Sequence, residues 1–218
     1  MALQLFVANK NYSSWSMRPW LLLKQAGIPF IEQTILLGAE SGPAIAKVSP
    51  SGRVPVLVDG DLRVHDSLAI CEYLAEKFPE KNLWPRDSAL RALARAWCAE
   101  MHAGFTALRS HAPMNVRRFL EKTPAWPEEV RRDIARIEKI WSAARAARPS
   151  DGDFLLGDFS ILDAYYWPVV SRLLSYRVEL APESRAYAQF VWRLPVVLEW
   201  VKFAKEEEAS LPHYDAVY

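Results

Sequence analysis

Val54-Pro55-Val56-Leu57-Val58-Asp59-Gly60-Asp61-Leu62-Arg63-Val64-His65 decides how the first half of this chain folds. Two short apolar runs rich in valine flank Asp59-Gly60, a dipeptide suited to the positive-φ positions of a tight hairpin turn. The two runs therefore pair antiparallel. Ser67 to Phe78 then places Leu68, Ile70, Cys71, Leu74 and Phe78 at helical spacing. Upstream, Leu3-Gln4-Leu5-Phe6-Val7 reads as a strand with Leu3, Leu5 and Val7 on one side. Leu21 to Gly27 reads as a helix stopped by Gly27, with Pro29 just beyond. Pro29 to Leu36 gives a second strand, and Ser41 to Val48 a short helix ended by Ser49-Pro50-Ser51-Gly52. The first βαβ unit requires a parallel pair and the hairpin an antiparallel one, so the spacing predicts a mixed four-stranded sheet with helices.

Pro79 to Asp87, with two prolines and several charges, reads as a linker. No strand is predicted from Ser88 onward. Arg91 to Arg109 is alanine-rich and helical, with its end or a kink at Pro113. Trp126-Pro127-Glu128-Glu129 opens a helix running to about Ala147, with Pro127 in its first turn and acids at its positive end. Phe154 to Gly157 breaks the pattern. Ser160 and Asp163 then stand in the relation of a capping box. Pro195 opens what reads as the last helix, through about Glu208, burying Val197, Leu198, Trp200 and Val201. The expected organisation is an α/β domain over residues 1–79, a linker over 80–87 and an all-α helical bundle over 88–218.

The composition narrows the function. A formal net charge of +1 lacks the basic excess of a phosphate-tracking surface, so no nucleic-acid partner is expected. Arg117-Arg118 and Arg131-Arg132 read as solvated helix faces, because acids such as Glu128, Glu129 and Asp133 alternate with them. No apolar run reaches the roughly 18 residues of a membrane span, and no signal pattern opens the chain. Cys71 and Cys98 lie far apart, with no Cys-x-x-Cys, which suits a cytoplasmic protein without a dithiol or zinc site. Nine tryptophans suggest a well-filled core, some of them lining an apolar pocket.

Three features carry chemistry. Asn11-Tyr-Ser-Ser-Trp-Ser-Met-Arg-Pro-Trp20 places Ser13, Ser14 and Ser16 at a strand-to-helix junction. Unpaired backbone N–H groups and the helix dipole favour an anion there. A serine at that point also serves as an N-cap, worth about 1 kcal/mol. Val54-Pro55 opens a strand, where proline is awkward for want of an N–H. A cis bond there would leave the backbone of Val54 free for an extended ligand. Asp66-Ser67 opens a helix, where Ser67 can cap and Asp66 can meet a ligand ammonium. A small zwitterionic peptide would use all three.

With these stretches in order, the chain resembles the glutathione transferase superfamily over nearly its whole length. Ser51-Gly-Arg-Val-Pro-Val-Leu57 and His65-Asp-Ser-Leu-Ala-Ile70 resemble its thioredoxin-like domain. The Ser160-to-Asp163 capping box and the Leu194-Pro195-to-Trp200 helix resemble its helical domain. Ser13-Ser14-Trp15-Ser16-Met17-Arg18 is similar to the Ser-Ser-Cys-x-x-Arg loop of the zeta class, with Trp15 in place of that class's cysteine.

The resemblance implies a serine-type glutathione transferase of the cytoplasm, a homodimer using glutathione and no metal. Ser13 or Ser14 would stabilise the glutathione thiolate. Val54 would pair with the cysteinyl backbone beside a cis Pro55, Asp66 and Ser67 would hold the γ-glutamyl end, and Arg53 and Lys47 are candidates for the glycyl carboxylate. The electrophile would lie against Trp15, Met17 and Phe105, with Arg109 meeting an anionic group. His102 and His111, each alone on a helix, are expected to be structural. Two further readings follow. One is isomerisation of a maleylacetoacetate-type diacid, or dehalogenation. The other is a non-enzymatic member binding glutathione or a protein.

Overall fold

In the computed structural model, which describes residues 2–38 and 41–217, the first half is built on four strands. These are β1 (Leu3–Val7), β2 (Phe30–Thr34), β3 (Val56–Asp59) and β4 (Leu62–His65). Their order across the sheet is β2-β1-β3-β4. β1 runs parallel to β2, with Leu5 opposite Glu32, and antiparallel to β3, with Leu5 opposite Leu57. β3 and β4 form the hairpin predicted at Asp59-Gly60, where Gly60 has φ +61°. The mixed sheet is therefore as expected; β1 has the predicted bounds, while β2 is three residues shorter than its predicted run. Alternation along β1 buries Leu3, Leu5 and Val7 and leaves Gln4 and Phe6 half-buried.

Three helices accompany the sheet: α1 (Ser14–Gln25), α2 (Ser41–Val48) and α3 (Ser67–Lys77). α1 is buried on all sides from Ser16 to Leu23, because it lies between the sheet and the helical half of the molecule. Trp20 meets Trp200 edge-on, their rings 5.1 Å apart, and both side chains are fully buried. The Trp20 indole N–H donates to Glu32 at 2.5 Å, and that of Trp200 to the Lys10 carbonyl at 2.9 Å. Such pairs combine large apolar burial with a satisfied polar atom. They fix the start of α1 from both sides.

The helical half comprises α4 (Ser88–Ala103), α5 (Thr106–His111), α6 (Glu128–Ala146), α7 (Ile161–Ser175), α8 (Pro182–Trp192), α9 (Pro195–Glu206) and α10 (Pro212–Asp215). The single helix predicted over Arg91–Arg109 is two. Gly104 ends the first of them, where a Cβ would lie 2.7 Å from the Glu100 carbonyl oxygen, and Phe105 then turns the chain with φ +55°. The helix at Pro195 ends at Glu206 and is not the last, since α10 follows it. Leu198 is 49% exposed rather than buried, while Val197, Trp200 and Val201 are buried as expected. α8 has no counterpart in the sequence reading.

Arg117 and Arg118 lie in the irregular segment after α5, not on a helix face. Arg117 donates to the carbonyls of Glu207 and Ala209, and Arg118 to those of Asp215 and Val217, so the pair clamps the C-terminal segment. Arg131 and Arg132 are exposed on α6, as predicted.

Candidate functional site

The serines sit at the mouth of α1. Ser13 is its N-cap and accepts from the Ser16 amide at 3.4 Å while donating its hydroxyl to Ser16 Oγ at 2.8 Å. Ser16 in turn accepts from the Ala8 amide at 3.0 Å, tying the helix start to the end of β1. Ser14 is buried and accepts at 3.1 Å from Arg172, a buried arginine of α7 that also donates to the Ala112 carbonyl at 2.5 Å. Burial lowers the Arg172 guanidinium to about 10, and the neighbouring Arg18 charge adds to the shift. At neutral pH it remains a cation. Among the described residues, it donates to the Ala112 carbonyl and the Ser14 hydroxyl and to no carboxylate.

Arg18 is also buried. Its guanidinium lies 4.3 Å from the ring centroids of both Trp15 and Tyr165, between the two faces. Its Nη1 donates to Ser67 at 3.4 Å, and its Nε has no hydrogen-bond partner among the described residues. Burial lowers its pKa, opposed chiefly by Tyr165. Two desolvated ring faces contribute about 2 kcal/mol each and offset part of that cost.

Opposite the serines, the Val54-Pro55 peptide bond is cis. Asp66, with φ +79°, is the N-cap of α3, its Oδ1 accepting from the amides of Leu68 at 2.8 Å and Ala69 at 3.3 Å. The cap is thus Asp66 and not Ser67, a correction that follows from the side chains. Ser67 is the first residue of α3, and its hydroxyl points inward to Arg18 and, at 3.0 Å, to the hydroxyl of Tyr165. Positive φ at a non-glycine residue is uncommon and tolerated best by Asp and Asn. Here it turns the carboxylate toward a cleft.

That cleft has two lobes meeting at Trp15, Arg53 and Val54. The first, about 420 Å³, is bounded by Pro55, Asp66, Ser67 and His102. The second, about 410 Å³, is bounded by Ser13, Ser14, Arg109, Arg172 and the Tyr12–Tyr214 pair. Larger hollows elsewhere, such as that between α6 and α8, adjoin none of these groups.

Of the residues singled out by sequence, Ser13, Ser14, Trp15, Arg53, Val54, Pro55, Asp66, Ser67 and Arg109 come together around this cleft. Lys47 does not; it is exposed on the last turn of α2, where its carbonyl accepts from Arg63. Met17 and Phe105 are buried in the core at 1% and 7% exposure and line neither lobe, because the helix periodicity turns Met17 inward and the Phe105 backbone turn carries its ring inside. Arg109 lies 5.7 Å from the Trp15 ring centroid and donates to Thr106 at 3.4 Å. Its Nε has no hydrogen-bond partner among the described residues. His111 is held by the Ala107 carbonyl at 3.0 Å.

The family model described as "Glutathione S-transferase, N-terminal domain" matches residues 12–77, the span that carries the serines, Val54-Pro55 and Asp66-Ser67. Over that span the chain is similar to the N-terminal domain of the glutathione S-transferases. It is 29% identical over 182 residues to "Glutathione S-transferase 1" of Dianthus caryophyllus, covering 82% of this chain and 81% of that protein. It is 35% identical over 119 residues to "Glutathione S-transferase Z1" of Arabidopsis thaliana, a match that spans only about half of each, 52% in both cases. Among solved structures it is similar to a glutathione transferase homolog from Burkholderia GL BGR1 with bound glutathione, at 26% identity and a TM-score of 0.71, covering 95% of this chain and all of that one.

Arg172, Tyr165 and Arg18 were not assigned a site role from sequence. Arg172 and Tyr165 sit on α7, whose near-total burial hides any amphipathic signal. The clue available was a charged residue inside an apolar helix, which burial leaves unexplained without a partner. Among the described residues, no group of three or more His, Cys, Asp or Glu could hold a metal ion, and no helix is long and apolar enough to cross a membrane.

Proposed function

We propose that this protein is a serine-type, zeta-like glutathione transferase that stabilises the glutathione thiolate for attack on small electrophiles. The observation that carries the reading is the convergence of three chain segments on one cleft: Ser13-Ser14, Val54-Pro55 and Asp66-Ser67. Glutathione would lie across it with its γ-glutamyl ammonium on Asp66, the carboxylate on Ser67, the cysteinyl backbone on Val54 and the glycyl end toward Arg53. Its sulfur would then face the serine lobe. A thiol of pKa near 8.5 is only about 3% thiolate at pH 7. A hydroxyl donor, the mouth of α1 and the Arg172 and Arg109 charges all favour the anion. A shift of about two units corresponds to roughly 2.7 kcal/mol and raises the thiolate fraction more than twentyfold.

The nucleophile is the glutathione sulfur, and the serine remains a hydrogen-bond donor. Homodimeric assembly and a cytoplasmic location belong to the same proposal. Glutathione added to the purified protein near neutral pH is expected to develop thiolate absorbance, and removing the serine hydroxyls should abolish it. If the Ser13→Ala and Ser14→Ala variants both behave like the parent, the serine assignment fails. Thiolate formation without turnover of any electrophile would favour a non-enzymatic binder.

A second reading has a specific support. Arg109 and Arg172 bound the electrophile lobe, and among the described residues neither donates a hydrogen bond to a carboxylate. An anionic electrophile would complete them, as in glutathione-dependent isomerisation of a maleylacetoacetate-type diacid or dehalogenation of a halo acid. Direct assay of maleylacetoacetate turnover separates this from conjugation.

A further inference from the structure

His102 lies near the C-terminal end of α4 with both ring nitrogens engaged. Nε2 is 3.3 Å from Asp66 Oδ2, and Nδ1 is 3.1 Å from the Tyr165 hydroxyl. The Tyr165 hydroxyl is 3.0 Å from Ser67 Oγ, and Ser67 is 3.4 Å from Arg18 Nη1. The edge of the ring rests against Trp15, centroids 5.1 Å apart. A single line of polar atoms thus runs from the buried Arg18 through Ser67, Tyr165 and His102 to the exposed carboxylate of Asp66.

Donors and acceptors along that line can be assigned. Arg18 has only protons to give, so Ser67 Oγ accepts from it. Asp66 presents a carboxylate to His102, so Nε2 carries a hydrogen. A neutral imidazole then has a bare Nδ1, which must accept from Tyr165. The Tyr165 oxygen, its own proton spent, accepts from Ser67. With His102 neutral the line is complete, and the Ser67 proton points inward.

A ligand carboxylate at Ser67 needs that proton turned outward. The Tyr165 oxygen then loses its donor, and His102 Nδ1, 3.1 Å away, can supply one. Nε2 cannot give up its hydrogen in exchange, since that would set a lone pair against the Asp66 carboxylate. We propose that His102 is a positioning residue that takes up a proton when a ligand bearing adjacent ammonium and carboxylate groups binds at Asp66 and Ser67. The inference rests on the glutathione reading, in which the γ-glutamyl end is such a group. As an imidazolium, His102 donates to Asp66 and Tyr165 at once, which holds Asp66 toward the ammonium and frees Ser67 for the carboxylate.

The surroundings agree with a neutral resting state. Burial lowers the His102 pKa below its ordinary 6.5, Asp66 opposes this, and Arg18 from α1 and Arg109 from α5 reinforce it. Tyr165 on α7 faces it as well, and burial raises that phenol. An arriving carboxylate adds negative charge close by and shifts the balance toward the cation.

S-methylglutathione, which has no thiol to ionise, isolates the effect. Calorimetric titration at about pH 7.5 in buffers of different ionisation enthalpy is expected to show close to one proton taken up per site. The uptake should decline as the pH falls far enough for His102 to be charged before the ligand arrives. Between about pH 7 and 8 the dissociation constant should rise close to tenfold. His102→Gln, which keeps donor and acceptor but cannot charge, and Tyr165→Phe, which cuts the line between Ser67 and His102, should each bind with near-zero uptake. Measurable binding to the parent without proton uptake overturns the inference, as does undiminished uptake in either folded variant. Failure of S-methylglutathione to bind the parent at all overturns instead the glutathione reading on which it stands.

Discussion

Arg172 donates to the Ser14 hydroxyl at 3.1 Å, although the two residues are 158 positions apart. The bond settles how the two serines differ. The Ser13 proton is committed to Ser16, whereas the Ser14 oxygen already accepts a charge-assisted hydrogen bond and its own proton has no acceptor among the described residues. A hydroxyl polarised by a neighbouring cation is the better donor to an anion. Ser14→Ala is therefore expected to raise the pKa of bound glutathione by about one to two units, a ten- to hundredfold loss of thiolate at neutral pH. Ser13→Ala should act more weakly, through the N-cap it removes. Titration of thiolate absorbance in both variants distinguishes them, and a large effect confined to Ser13→Ala would reverse the assignment.

Arg109 stands over Trp15 at the rim of the cleft's second lobe. It is half-buried, so a substrate charge placed there is screened less than on an open surface. Arg109→Gln should lower kcat/KM for a carboxylated electrophile about tenfold, equivalent to about 1.4 kcal/mol. For a neutral electrophile of the same size the change should stay within about twofold. Equal losses on both would mean that Arg109 acts only by packing against Trp15.

Gly104 ends α4 where a Cβ would press on the Glu100 carbonyl at 2.7 Å. That oxygen belongs to the backbone and accepts the Gly104 amide at 2.8 Å, so it has little room to yield. Gly104→Ala is expected to destabilise the fold by about 1–3 kcal/mol. The break also sets the angle between the helices that carry His102 and Arg109. Urea unfolding gives the first effect. Unchanged stability would show that the chain relaxes at Phe105 without cost.

The sheet was legible because its signals are local. Asp59-Gly60 announces the hairpin, and the alternation in Leu3–Val7 fixes which face is buried. The serine loop, Val54-Pro55 and Asp66-Ser67 were found because each sits at a boundary where the backbone changes conformation. What stayed hidden depends on contacts between distant segments. Arg172 and His102 reach the cleft, and Tyr165 packs behind it, from helices whose sequence periodicity says only that they are buried or half-buried. Met17 and Phe105 were misplaced for the same reason: an apolar side chain beside a site looks alike whether it lines the cavity or packs behind it. The break at Gly104 escaped notice because one glycine in an alanine-rich run costs only about 1 kcal/mol and need not end a helix.

Asp163 closes the capping box of α7 while fully buried, accepting from the Ser160 amide at 3.0 Å, the Ser160 hydroxyl at 3.1 Å, the Leu155 amide at 2.9 Å and the Tyr187 hydroxyl at 3.1 Å. Burial raises its pKa from 3.8 to about 6, and these four donors resist the shift without cancelling it. The folded protein thus holds the proton more tightly than the unfolded chain does. Between about pH 4 and 6 the native state binds more protons, so unfolding free energy falls as pH rises through that window. Below it the contribution is fully present, and above it is lost. A shift of about two units corresponds to about 3 kcal/mol. Asp163→Asn has no such titration. Measured by urea unfolding from about pH 4 to 7, the stability of the parent relative to this variant should decline by about that amount. A relative stability that instead grows with pH would mean that the four donors hold the carboxylate ionised throughout.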